Sequence, residues 1–129
     1  MVSLARSYPG RPVPLADIAR AENISLSYLE QLMASLRKAG LVESTRGVHG
    51  GYQLAAAPAS MTVGQVFRAL EGPIALAECA SEVGKPGSCK REMDCPSKTF
   101  WENMRNNIAQ VLDATTLADL YHSGEVRVR

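Results

Sequence analysis

Around Gly40 the chain changes its apolar period from that of a helix to that of a strand within a few residues, after two amphipathic helical repeats and before a glycine-broken hairpin. Few folds accept that order in so short a span. Leu15, Ile18 and Ala19 share one face of a first short helix that ends near Glu22-Asn23, with Pro14 suited to its first helical position. Leu26, Leu29, Leu32, Met33 and Leu36 recur at helical spacing in a second helix, which Ser25 or Ser27 can cap and which Gly40 ends. Leu41–Thr45 then reads as a strand, Arg46–Gly51 as a hairpin turn and Tyr52–Leu54 as the returning strand. Two helices joined by a tight turn are common in many folds; a hairpin placed directly behind them predicts a winged helix-turn-helix whose second helix reads DNA.

The remaining segments fit around that unit. Three prolines and a glycine keep Tyr8–Pro14 out of a helix, and the few residues before it are too short for an independently stable one. A third helix is predicted over Val63–Leu70, with Thr62 and Gln65 forming a capping box and Val63, Val66, Phe67 and Leu70 facing inward until Gly72-Pro73 stops it. A longer helix from near Ser97 carries Trp101, Met104, Ile108, Val111 and Thr115 at alternating spacings of three and four. That stripe can pack on its own domain or on a second copy, and a winged helix this small offers little internal surface for it, so a homodimer is expected. Leu117 and Leu120 continue into a short terminal helix, and Gly124 onward reads as a frayed tail. The expected fold is mainly α: a winged helix-turn-helix with a two-stranded wing at 1–72, a cysteine-bearing sensor loop at 73–96, and a long C-terminal dimerisation helix with its tail at 97–129.

Composition narrows function mostly by exclusion. The net charge of +1 does not announce a nucleic-acid binder, so the DNA argument rests on the local motif. No apolar run approaches a membrane span and the first residues lack the flanks of a signal peptide, so a cytoplasmic protein is expected. No nucleophile and base pair, phosphate loop or organised acid pair points to an enzyme.

Cys79, Cys89 and Cys95 are the only cysteines, and all fall in one polar stretch containing Gly84, Pro86 and Gly87. An odd set of clustered thiols favours metal binding or redox chemistry over a disulfide framework. Soft thiolate sulfur suits an iron-sulfur cluster and zinc alike. The spacings of nine intervening residues and then five lack the short pairs of a zinc site.

The segments Pro14–Ala19, Ile24–Leu32, Leu36–Val42 and Arg46–Tyr52, with Thr62-Val63-Gly64, the spaced cysteines and Thr116–Leu120, closely resemble the IscR-type winged-helix regulators of bacteria. Nearly the whole chain takes part. The resemblance implies a DNA-binding transcription regulator, often a repressor, acting on a double-stranded operator as a homodimer. It makes Ser27, Tyr28, Glu30 and Gln31 candidate base or phosphate contacts and Arg46 a candidate minor-groove contact from the wing; Lys38, on the same polar face of the helix, is a further candidate for phosphate. Each has another possible use: Ser27 and Glu30 also satisfy a capping box, Tyr28 could pack in the core, and Lys38 could neutralise the helix C-terminus.

In the same family a C-x5-C pair preceded by another cysteine marks members that hold an iron-sulfur cluster, so the resemblance implies a 2Fe-2S or 4Fe-4S cluster on Cys79, Cys89 and Cys95 that reports cluster status, redox or nitric oxide. The alternatives are a cluster-free regulator using redox thiols or a protein partner, and a zinc-binding interaction module. The chain departs from the pattern at two places. Lys98 stands where relatives place a histidine three residues after the last cysteine, and the start is shorter than the several-turn first helix of relatives, as though truncated.

Overall fold

The structure, a computed structural model, describes residues 1–76, 80–82 and 96–128, with the backbone alone for 123–128. Helix α1 spans Val2–Ser7, α2 Leu15–Glu22 and α3 Leu26–Lys38; strands β1 (Val42–Thr45) and β2 (Gly51–Leu54) follow, then a 3-10 turn at Pro58–Ser60, α4 (Val63–Glu71), α5 (Lys98–Ala114) and α6 (Leu117–Val128). The mainly α fold with a two-stranded wing is the one expected from the sequence.

Local chemistry sets most of these boundaries. Asn23 takes a left-handed conformation at φ 53° and ends α2. Helix α3 begins at Ser25, whose hydroxyl accepts from the Tyr28 N–H at 3.2 Å. It ends in a Schellman arrangement: Gly40, at φ 77°, donates to the Arg37 carbonyl at 3.0 Å while Leu41 donates to Leu36 at 3.0 Å. The strands pair antiparallel with Val42 opposite Leu54 and Thr45 opposite Gly51. Val13 adds to the far side of β2, exchanging hydrogen bonds with Tyr52 at 2.8 and 2.9 Å. The expected capping box at α4 is present, with Gln65 N–H to Thr62 Oγ1 at 3.1 Å and Thr62 N–H to Gln65 Oε1 at 2.9 Å.

One core joins these elements. Leu29, Met33 and Leu36 of α3 meet Ile18 and Ala19 of α2, Val42 and Leu54 of the wing, and Leu117 of α6, all at most 8% exposed. Val66, Ala69 and Leu70 of α4 pack against the same cluster and so back the second helix of the motif.

Four expectations need correction. Residues 2–7 do form a helix, because Leu4 and Ala5 are buried and α1 rests on α6 and β2; tertiary packing supplies what six residues lack in water. Pro14 is the N-cap of α2, one position before its first helical residue. Leu26 opens α3 at 44% exposure, outside the apolar face. Helix α6 runs through Gly124 to Val128, since an interior glycine costs only about 1 kcal/mol relative to alanine and does not stop a helix already started. Its start is capped reciprocally by Thr116 and Asp119, at 2.9 and 3.1 Å.

Candidate functional site

The second helix of the motif divides cleanly. Leu29, Met33 and Leu36 point into the core, and on the opposite face Ser27, Tyr28, Glu30, Gln31, Ser35 and Lys38 are exposed. Tyr28 is 53% exposed, which removes the core role considered for it.

The cap is settled by geometry. Ser25, not Ser27, caps α3, its hydroxyl accepting the free N–H of Tyr28 three positions on. The Ser27 and Glu30 capping box is therefore not formed. Among the described residues, the side chains of Ser27, Tyr28, Glu30, Gln31, Lys38 and Arg46 make no hydrogen bond or ion pair, so their polar atoms are open to an outside partner. A hydroxyl, a carboxylate, an amide and an ammonium spaced along about three turns are groups that recognise base edges and phosphates.

The wing follows α3 and its first strand packs against that helix. Arg46 and His49 are exposed on its turn, and Val48 between them is 96% exposed, a position suited to touching something other than this chain. Sequence reasoning passed over Val48, whose only signal is an apolar residue inside a glycine-rich turn.

The three cysteines lie outside the described residues, but part of the base of their loop is described. Ala75 and Ser81 form an antiparallel bridge and Glu82 N–H donates to the Ile74 carbonyl at 3.1 Å, with Ile74 and Ala80 buried. Arg68 of α4 grips this base: its guanidinium donates to Glu82 at 3.0 and 2.7 Å and to Asp113 of α5 at 2.6 and 3.0 Å. Arg105 of α5 adds a hydrogen bond to the Ser81 carbonyl at 3.1 Å. The hydrogen bonds from Arg68 hold the Glu82 and Asp113 carboxyls below the usual carboxylate range and hold Arg68 more firmly in its charged form. Nothing local in the sequence pairs Arg68 with residues 14 and 45 positions away.

Among the described residues no group of three or more histidine, cysteine, aspartate or glutamate side chains is arranged to hold a metal ion. Lys98, three residues after Cys95, sits 3.8 Å from Glu102 as an i, i+4 ion pair. His49 is on the wing, and His122 lies on α6 with its ring 5.2 Å from that of Tyr121.

On α5, Val111 is 65% and Phe100 55% exposed, and a shallow depression of about 280 Å³ is lined by Asn107, Ile108, Val111 and Leu112. No described helix is long and apolar enough to cross a membrane.

Comparisons with known proteins agree with this geometry. The family Rrf2, described as iron-dependent transcriptional regulator, matches residues 1–123. The HTH-type transcriptional regulator IscR of Vibrio campbellii is 40% identical over 126 residues, covering 98% of this chain and 73% of the relative. The HTH-type transcriptional regulator CymR of Bacillus subtilis is 42% identical over 127 residues, covering 97% and 85%. Among solved structures, CymR, the global cysteine regulator of B. subtilis, superposes with a TM-score of 0.75 at 42% identity over 95% of this chain and 87% of that one. IscR of T. potens does so with a TM-score of 0.75 at 38% identity, covering 95% and 78%.

Proposed function

We propose, on the premise that the chain belongs to the Rrf2 family of transcriptional regulators, that it is a homodimeric operator-binding protein whose affinity is set by an iron-sulfur cluster on Cys79, Cys89 and Cys95. The observation that carries the DNA reading is the face of α3: with Ser25 acting as the cap, Ser27, Glu30 and Gln31 stand exposed and uncommitted beside the wing. Gln31 pairs with adenine, Glu30 accepts from cytosine, Ser27 and Tyr28 use hydroxyls, Lys38 approaches phosphate and Arg46 reaches the neighbouring minor groove.

The donor chemistry of the loop fits a cluster. Three thiols supply soft anionic sulfur at separated positions, and the loop base next to Cys79 in the chain is anchored by Arg68 and Arg105. When bound, such a group supplies iron reactive toward oxidants and nitric oxide. Lys98, paired with Glu102, is not a fourth ligand, because an ammonium has no lone pair to donate. Exposed Val111 and Phe100, with half-buried Ile108 and Leu112 beside Val111, form the surface on which the second copy packs, and a net charge of only +1 leaves that association nearly unopposed.

A second reading is favoured by the 42% identity to CymR, named as a cysteine regulator: the same DNA-binding unit without a cluster, its cysteines acting as thiols or a protein partner carrying the signal. Anaerobic reconstitution with iron and sulfide separates the two. Visible absorption, stoichiometric iron and sulfide, and an operator affinity that changes on cluster loss support the first; a colourless, iron-free protein of unchanged affinity overturns it and leaves the second.

A further inference from the structure

We infer that Arg68 is a mechanical coupler: one guanidinium ties the base of the cysteine loop to α5 and to the helix that backs α3, so that a displacement of the loop moves α5 relative to the DNA-binding face. Glu82 closes the loop base through its bond to the Ile74 carbonyl and takes the Nε and one terminal nitrogen of Arg68. Asp113, the penultimate residue of α5, takes both terminal nitrogens. Arg68 itself stands on α4, whose Val66, Ala69 and Leu70 rest on the core shared with Met33 and Leu36 of α3.

The arrangement is strong enough to transmit and weak enough to release. Isolated exposed ion pairs contribute little, whereas a planar fork shared by two carboxylates gains geometric specificity and loses side-chain freedom only once. The side chains of Arg68, Glu82 and Asp113 are 32, 24 and 47% exposed, so water can replace one arm when the loop withdraws. With Glu82 gone, Arg68 keeps Asp113 alone and the three-way register is lost. Arg105, which holds the Ser81 carbonyl from the same helix, makes α5 follow the loop base. A lysine at 68 offers a single point charge and cannot reproduce the paired hydrogen bonds that the fork makes to each acid.

The coupling rests on the regulatory reading of the loop, but its test has one arm that does not. Full-length parent, Glu82→Gln and Arg68→Lys are compared first by hydrogen-exchange mass spectrometry without iron, after circular dichroism establishes that each is folded. Coupling predicts that Glu82→Gln raises exchange in α5 at least fivefold, although Glu82 is not on that helix; a rise confined to the loop base overturns it. The second arm measures operator affinity with and without the reconstituted cluster. The variants are expected to bind, with the ratio between the two states reduced at least fivefold; variants that keep the parental ratio overturn the coupling. A parent that takes up no iron defeats the cluster reading, and the exchange arm then decides the coupling alone. Should Arg68→Lys fail to fold, Asp113→Asn replaces it in both arms.

Discussion

Gly64 on α4 faces the carboxylate of Asp113 on α5 so closely that a β-carbon at position 64 would overlap Asp113 Oδ1 and crowd the Arg68 guanidinium. The absence of a side chain there is what lets the two helices meet through an ion pair. Gly64→Ala is expected to push the carboxylate out and lower stability by roughly 1–3 kcal/mol, the usual range for overpacking. Urea denaturation checks this, and an unchanged midpoint would show that the junction adjusts freely.

Ser25 and Ser27 are chemically identical and two residues apart, but only Ser25 caps α3. Ser25→Ala should cost about 1 kcal/mol of stability. Ser27→Ala should stay within about 0.5 kcal/mol, as for an uncommitted surface side chain, while weakening operator binding. The pair of denaturation and binding curves tests both halves; equal stability losses would mean the cap is shared.

Gln31 and Arg46 should fail in different ways. Gln31→Ala is expected to relax sequence preference at one operator position, a loss of about 1–3 kcal/mol against the preferred base. Arg46→Ala should weaken binding to all sequences and reduce the slope of log affinity against log salt by about 1. If both variants track the parent across a salt series, these residues do not touch DNA.

Acid should loosen the junction of α4, α5 and the loop base before neutral pH affects it. Arg68 holds the Glu82 and Asp113 carboxyls below their ordinary range, and Thr116 does the same for Asp119 through its backbone N–H and hydroxyl. A depressed folded value means the stabilisation is complete above the unfolded carboxylate range, near pH 4, and is lost as pH falls through the folded values. The denaturation midpoint should therefore drop below about pH 4.5, and the drop should be shallower in Glu82→Gln/Asp113→Asn. A double variant with the parental acid limb would place the pH sensitivity elsewhere.

Val111 tests the assembly. It is 65% exposed beside Ile108 and Leu112, and a carboxylate buried there in an interface would stand without a partner. Val111→Glu is expected to weaken self-association at least 100-fold, which is about 2.7 kcal/mol. Sedimentation velocity reads it directly; a variant that sediments as the parent does would move the dimer surface off α5.

What could be read from the sequence follows the range of the forces involved. The helix pair, the wing and the Thr62 and Gln65 cap are set by neighbours within four residues or by apolar period, and all were legible. Helix α1 was not, because its stability comes from burying Leu4 and Ala5 against α6 at the other end of the chain. The Arg68 clasp spans 45 residues and leaves no periodic trace. On α3 the exposed face was legible from its polar spacing, but two serines competed for one cap and only the geometry chose between them.

The bridge between Val13 and Tyr52 bears on how this protein meets its target. By stitching the segment ahead of α2 to the returning strand, it turns a free two-stranded hairpin into a braced arm. A braced arm has little orientational freedom left to surrender on contact, so, on the proposed reading, the offset between the groove for α3 and the one for Arg46 is built into the unbound molecule. Operators whose two contact points lie at another offset would have to bend to fit, and discrimination between sites would then include the stiffness of the DNA itself.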